Sequence, residues 1–153
     1  MNIHLRHFND ENDGDVDFIS QKLYPGMAPY EVPLMIDEWN TLQYKGSYFE
    51  AFAIETDEGL TGYVSLYEKV KGTVNIGVVI IPEYQRKGIA YQTLTEIFLR
   101  LKEYGCLKAA ARVRKDNIPS LKLCEKAGFT ITGESLSARD NKTEVYSLEK
   151  LIK

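Results

Sequence analysis

The spacing of hydrophobic positions changes several times along the chain, and each change marks an element. Ile3 to Phe8 alternates as a strand does. The acidic stretch Asp10 to Asp17 reads as the solvated start of a first helix that continues through Phe18, Ile19 and Leu23, until Tyr24-Pro25-Gly26 breaks it. Glu31 to Tyr44 carries Leu34, Met35, Trp39 and Leu42 at helical spacing and predicts a second helix. Three runs rich in aromatic and branched residues follow: Phe49 to Glu55, Leu60 to Glu68 and Thr73 to Ile81. Short turns at Asp57-Glu58-Gly59 and Lys71-Gly72 join them, as in an antiparallel meander. After Pro82 the period becomes helical again. Ala90, Leu94, Ile97, Phe98 and Leu101 share a face, and the pattern stops at Gly105. Lys108 to Arg114 predicts a strand, Asn117 to Ala127 a short helix stopped by Gly128, and Phe129 to Leu136 with Thr143 to Leu148 a closing pair of strands.

This order predicts an α+β fold: a mixed, mostly antiparallel sheet flanked by helices. The strand–helix–strand unit from Thr73 to Arg114 can supply one parallel pairing. No repeat, low-complexity tract or Pro/Gly/Ser linker interrupts the sequence, so residues 1–153 read as a single domain.

Composition narrows the function. The chain is 44% hydrophobic and 27% charged, the balance of an ordinary globular protein. A net charge of −3 argues against a general nucleic-acid binder. Cys106 and Cys124 form no C-x-x-C pair, and His4 and His7 have no cysteine near them in sequence, so no metal site is expected. The start Met1-Asn2-Ile3-His4-Leu5-Arg6 lacks the features of a secretory signal, and the longest apolar run, Val78 to Ile81, is strand-sized. The expectation is a cytoplasmic protein with no membrane partner, monomeric or homodimeric.

The most informative segment is Ile80-Ile81-Pro82-Glu83-Tyr84-Gln85-Arg86-Lys87-Gly88-Ile89-Ala90, where a strand gives way to a short basic loop and then a helix. A helix N-terminus leaves backbone N–H groups unpaired and partially positive, and a loop there can wrap an anion. Gly88 allows a positive φ or a close approach, Ala90 is small, and Arg86 and Lys87 add charge for phosphate oxygens. A plain strand-to-helix turn with exposed basic residues is the alternative. Neither a P-loop nor a G-x-G-x-x-G fingerprint is present.

Gln85-Arg86-Lys87-Gly88-Ile89-Ala90 resembles the Q/R-x-x-G-x-G/A signature of the GNAT N-acetyltransferase superfamily. Asn117, Ser120 and the run Glu125-Lys126-Ala127-Gly128-Phe129 are similar to a second element of that family, N-x-x-[AS]-x-x-L-Y-x-x-x-G-F. The resemblance covers Thr73 to Phe129. Asn75-Ile76-Gly77 and Leu5-Arg6 lean toward the branch that includes ribosomal-protein N-terminal acetyltransferases.

The resemblance implies a GNAT-like acyl-CoA N-acyltransferase fold and acetyl transfer from acetyl-CoA to an amine by direct attack on the thioester. It implies that backbone groups near Val79 and Ile80 pair with the pantetheine arm. Amides from Arg86 to Ala90, with Gln85 opening the motif and Lys87, Gly88 and Ile89 within it, would take the diphosphate. Asn117, with Ser120 one turn on, would bind the pantetheine or its phosphate end, although asparagine also caps helices without a ligand. The Ile80 N–H would be the oxyanion donor. The family's leaving-group acid is a tyrosine four residues before the Gly-Phe pair, and here that place holds Cys124, either a replacement acid or a small buried residue.

No general base is written in the motif. Arg112 stands where some relatives carry a glutamate, and Asn75 where others carry an acidic residue. Glu50, Glu55 and Glu68 lie on neighbouring predicted strands. Trp39, Tyr44, Tyr48, Tyr63 and Tyr67 are candidates for lining an acceptor pocket, with ordinary packing as the alternative. The acidic run from Asp10 to Asp17 is a solvated helix face or a lure for a cationic acceptor. A catalytically weak acyl-CoA-binding regulator and a cofactor-free interaction module are the competing functions.

Overall fold

A computed structural model of the protein describes residues 2–41 and 48–152. Leu42 and Tyr44 lie outside the described residues. The chain forms β1 (Ile3–His7), α1 (Asp13–Phe18), α2 (Val32–Thr41), β2 (Phe49–Thr56), β3 (Gly59–Val70), β4 (Thr73–Ile80), α3 (Ile89–Glu103), β5 (Lys108–Arg114), α4 (Ile118–Lys126), β6 (Thr130–Leu136) and β7 (Glu144–Leu151).

Local chemistry sets the boundaries. Asn12 caps α1, its side chain accepting from the Asp15 N–H at 3.0 Å, and Asp13 and Asp15 complement the partial positive charge of the first turn. The helix widens into a π turn over Ile19–Leu23 before ending at Tyr24. In α2 the buried stripe is Val32 and Ile36, flanked by partly buried Met35 and Trp39. Leu34, expected on this stripe, is 71% exposed because it falls on the opposite side of the helix. In α3 the buried positions are Ile89, Thr93, Leu94, Ile97 and Leu101, while Ala90 and Phe98 stand at the margin of that face.

The seven strands run in the order β1-β2-β3-β4-β5-β7-β6. Pairings β1–β2, β2–β3, β5–β7 and β7–β6 are antiparallel. The expected parallel pairing joins β4 to β5, in register from Thr73–Lys108 to Asn75–Ala110. This is the mixed α+β sheet that the sequence predicts.

The packing divides into two units: Met1–Tyr67 with Gly77–Thr93, and Glu68–Ile76 with Leu94–Lys153. The first has a core of Phe8, Phe18, Ile19, Val32, Ile36, Ala53 and Ile81. The second buries Val74, Ile97, Leu101, Ala109 and Leu148, with the Phe98 and Phe129 rings 5.8 Å apart. Among the described residues no helix is long and apolar enough to cross a membrane.

Candidate functional site

In the first unit, the end of β4 and the loop after it are held by specific contacts. β3 carries a bulge: Ile54 faces Gly62 and Glu55 faces Leu60, so Thr61 is the extra residue. Thr61 is fully buried, its hydroxyl donating to the Ile54 carbonyl at 3.0 Å and its own carbonyl accepting the Ile81 N–H at 2.9 Å. Next to it, Gly62 lies so close to β4 that a Cβ would stand 2.0 Å from the Val79 carbonyl oxygen. Only glycine permits that approach. Peptide groups alternate direction along a strand, so with Val79 and Ile81 turned to β3 the Ile80 N–H points away from it.

The loop folds back on this strand end. Ile81 begins a single 3₁₀ turn over Pro82–Tyr84, and the Gln85 side-chain amide donates to the Ile80 carbonyl at 2.8 Å. Two residues then take left-handed backbone conformations, Arg86 at φ 65° and Gly88 at φ 83°. Arg86 has a Cβ and bears the cost of that conformation, about 1 kcal/mol or more. Nothing lies within 4 Å of where a Gly88 Cβ would be, so the inner side of the turn is open. The N–H groups of residues 86–90 donate to no acceptor among the described residues. Successive unpaired amides across such a turn, leading into a 15-residue helix, have the geometry of a nest that can take an anion. The Lys87 ammonium lies 5.6 Å from the centre of the Tyr84 ring, which brings a cation to the same loop.

In the second unit, Asn117 caps α4, its Oδ1 accepting the Ser120 N–H at 3.3 Å. The cap uses only the carbonyl oxygen. The exposed Nδ2 is left to donate, so capping and ligand binding are compatible at this residue. Cys124, by contrast, is only 7% exposed on the inner face of α4, and burial raises its thiol pKa.

A family model for the acetyltransferase (GNAT) family matches residues 16–129. The chain belongs to the GNAT acetyltransferase family. Its fold is shared with solved acetyltransferases of low sequence identity. A spermidine N-acetyltransferase SpeG chimera from Vibrio cholerae and hSSAT has a TM-score of 0.81 at 20% identity, covering 99% of this chain and 96% of that one. RimL, the ribosomal L7/L12 alpha-N-protein acetyltransferase, has a TM-score of 0.82 at 17% identity, covering 99% and 91%. The Salmonella typhimurium acetyl transferase that modifies the N-terminal serine of ribosomal protein L7/L12 has a TM-score of 0.83 at 18% identity, covering 99% and 95%. Curated protein sequences yield no match.

The carboxylates weighed as a base for this GNAT chain are all engaged. Glu50 accepts from the Tyr48 hydroxyl and lies 2.8 Å from His7 Nε2. Glu55 pairs with Arg6 at 3.2 Å, and Glu68 accepts the Gly72 N–H at 3.0 Å. Arg112 donates to the Ser135 hydroxyl at 2.9 Å. Of the aromatic candidates, Trp39 and Tyr63 stack at 5.8 Å against the core of the first unit, and the Tyr63 hydroxyl meets that of Tyr24 at 2.7 Å. Burial first, and then this contact, hold Tyr63 protonated far above the usual tyrosine range. Motif reading names Gln85 and Arg86 but not the Gln85 latch or the left-handed Arg86 backbone, and it passes over Gly62. The one sequence signal was a glycine inside a strand pattern, which marks close backbone approach.

Proposed function

We propose that residues 1–153 act as one acetyl-CoA-dependent N-acetyltransferase domain, transferring acetyl to a primary amine of a protein N-terminus or a small molecule. The observation that carries this reading is the run of unpaired amides over residues 86–90, set in a left-handed turn on a chain of the GNAT family. The residues present fit the donor. Arg86, Lys87, Gly88, Ile89 and Ala90 would bind the diphosphate, and the Ile80 N–H would face the pantetheine end, whereas Val79, whose backbone is turned to β3, would not. Gln85 positions the turn by its bond to Ile80.

The chemistry asked of the protein is modest. A neutral amine attacks the thioester carbon, the C–N bond forms, negative charge gathers on the carbonyl oxygen, the now cationic nitrogen gives its proton to solvent, and the C–S bond breaks to release a thiolate. The Ile80 N–H is the assigned oxyanion donor, since it points away from β3. Cys124 holds the place of the family's acid. Its burial and raised pKa suit packing better than proton donation, and solvent then protonates the thiolate.

The test is calorimetric titration of acetyl-CoA into the wild type and Gly88→Trp. Micromolar affinity, about −8 kcal/mol, is expected for the wild type and none for the variant, whose indole fills the turn. Equal affinity for both would show that the loop does not hold the diphosphate. The competing reading, a regulator that binds acyl-CoA without turnover, predicts the same titrations but no acetylation across a panel of amines.

A further inference from the structure

In the first unit, one face of β4 is left open just before the strand end. Ile81 packs into the core with Ala53, but Val79, two residues back on the same face, is 44% exposed. Gly77 beyond it is exposed and has no side chain. The register with β3 fixes what stands beside them. The Thr61 carbonyl accepts the Ile81 N–H, and a Gly77 Cβ would stand 3.1 Å from the Ser65 hydroxyl oxygen. Ser65 is therefore opposite Gly77 and Tyr63 opposite Val79, all on one face. On its other side Tyr63 pairs with Ala53, which places it on the core face as well. The result is a trough with a floor of Gly77 and Val79 and a wall of Tyr63 and Ser65.

The polar groups of this wall are donors without acceptors. The Tyr63 and Tyr24 hydroxyls lie 2.7 Å apart, and this is the sole hydrogen bond of either side chain among the described residues. Whichever of the two donates, one O–H proton is left over. Tyr63 is held protonated far above neutrality, so it serves as a donor and not as a base. The Ser65 hydroxyl has no partner among the described residues. Tyr24 closes the π turn Ile19–Leu23, a distortion frequent at functional sites. Floor and wall carry no charged side chain. Neutral donors of this kind match the carbonyl oxygens of a peptide, and the trough runs along the strand whose Ile80 N–H is the assigned oxyanion donor.

We propose that this trough seats the first residues of a polypeptide acceptor, with carbonyl oxygens accepting from the Tyr24–Tyr63 pair and from Ser65, so that a peptide N-terminus is preferred to a plain alkylamine. The assignment rests on the transferase reading above and narrows its acceptor.

Trp39, the chain's single tryptophan, stacks on Tyr63 at 5.8 Å, so its fluorescence senses what binds against this wall. The full chain, with and without coenzyme A, is titrated with trialanine amide and with n-hexylamine. The peptide should give a saturable change and hexylamine none. Tyr24→Phe, Tyr63→Phe and Ser65→Ala should each weaken the peptide by about three- to tenfold, the loss of one hydrogen bond. Ser65→Ala removes only a hydroxyl at the wall and carries the test if a tyrosine variant does not fold. Equal affinity for peptide and hexylamine, or full peptide affinity in the folded variants, would overturn the proposal. Peptide binding by a protein that binds no acetyl-CoA would keep the trough and remove the transferase reading. Turnover with hexylamine as good an acceptor as the peptide would do the reverse.

Discussion

At the scale of single residues, the site depends on two glycines for different reasons. Gly88 is favoured by its backbone angle alone, since nothing lies within 4 Å of where its Cβ would be, and the sequence marks it by its place in a motif. Gly62 is required by a neighbour far away in sequence, so motif reading passes over it. Gly62→Ala must push the Val79 carbonyl away from a Cβ that would otherwise stand 2.0 Å from it. We expect a stability loss of about 2–4 kcal/mol in denaturant unfolding, because backbone rather than a flexible side chain must move. Acetyl-CoA affinity should fall with it, since the displaced strand end carries Ile80, the assigned backbone contact to the donor. Full affinity in a folded Gly62→Ala protein would separate the strand end from the ligand. Cys124→Ala makes the opposite prediction. Removing one buried sulfur should cost about 1 kcal/mol and leave acetyl-CoA binding intact, with turnover reduced less than tenfold. A loss of two or more orders of magnitude in kcat would make the thiol the leaving-group acid.

Elements were legible where periodicity alone decides them. β5 spans Lys108–Arg114, the range its alternation predicts, and the break between β4 and α3 falls at Pro82. Legibility failed where packing decides. The exposed Leu34 reads as core by spacing until the stripe through Val32 and Ile36 is known, and nothing in the closing strands tells that β7 lies between β5 and β6. The acidic start of α1 is a further case, because five acidic residues read alike in sequence and only one is buried. Asp15 is 1% exposed and accepts from both Arg6 terminal nitrogens, at 2.8 and 2.9 Å, and from the Asn9 N–H at 2.9 Å. Burial by itself would raise its pKa. The Arg6 and Asn9 hydrogen bonds more than offset that, and the carboxyl is held below its usual value. A lowered folded pKa means stability that is fully present above the unfolded value, about 3.9, and lost as pH falls through the folded one. Asp15→Ala should therefore cost about 2 kcal/mol near neutral pH, because it removes the buried partner of Arg6 and leaves that guanidinium to Glu55 alone. The gap between variant and wild type should narrow below about pH 4. A gap independent of pH in urea unfolding would mean that the ionised carboxylate is not what ties α1 to β1.

At the scale of the whole molecule, the assignment of a CoA site and the choice of acceptor are separate questions. A donor bound only to the folded state must stabilise it. At a hundred times its dissociation constant acetyl-CoA should add about 2.7 kcal/mol, a rise of roughly 5–11 °C in Tm. The acceptor follows from what the protein does not have to spare. Glu50, Glu55 and Glu68 are all committed to hydrogen bonds or ion pairs, and Tyr63 stays protonated far above neutrality. With these groups committed, the amine is expected to arrive already neutral or to release its proton to water. An α-amine has a pKa of about 8 and a lysine amine about 10.4, so at neutral pH the α-amine is neutral some two orders of magnitude more often. We therefore expect kcat/KM for a peptide with a free N-terminus to exceed that for the same peptide, N-terminally blocked and bearing a free lysine, by about a hundredfold. Its rate should climb with pH toward about 8 and then level, because only the neutral amine attacks and a higher pH removes the last of its protons. Preference for the lysine peptide, or a profile that levels far below the pKa of the amine, would mean that a residue of this chain takes the proton after all. The engaged glutamates, beginning with Glu50 and its His7 partner, would then be the ones to substitute.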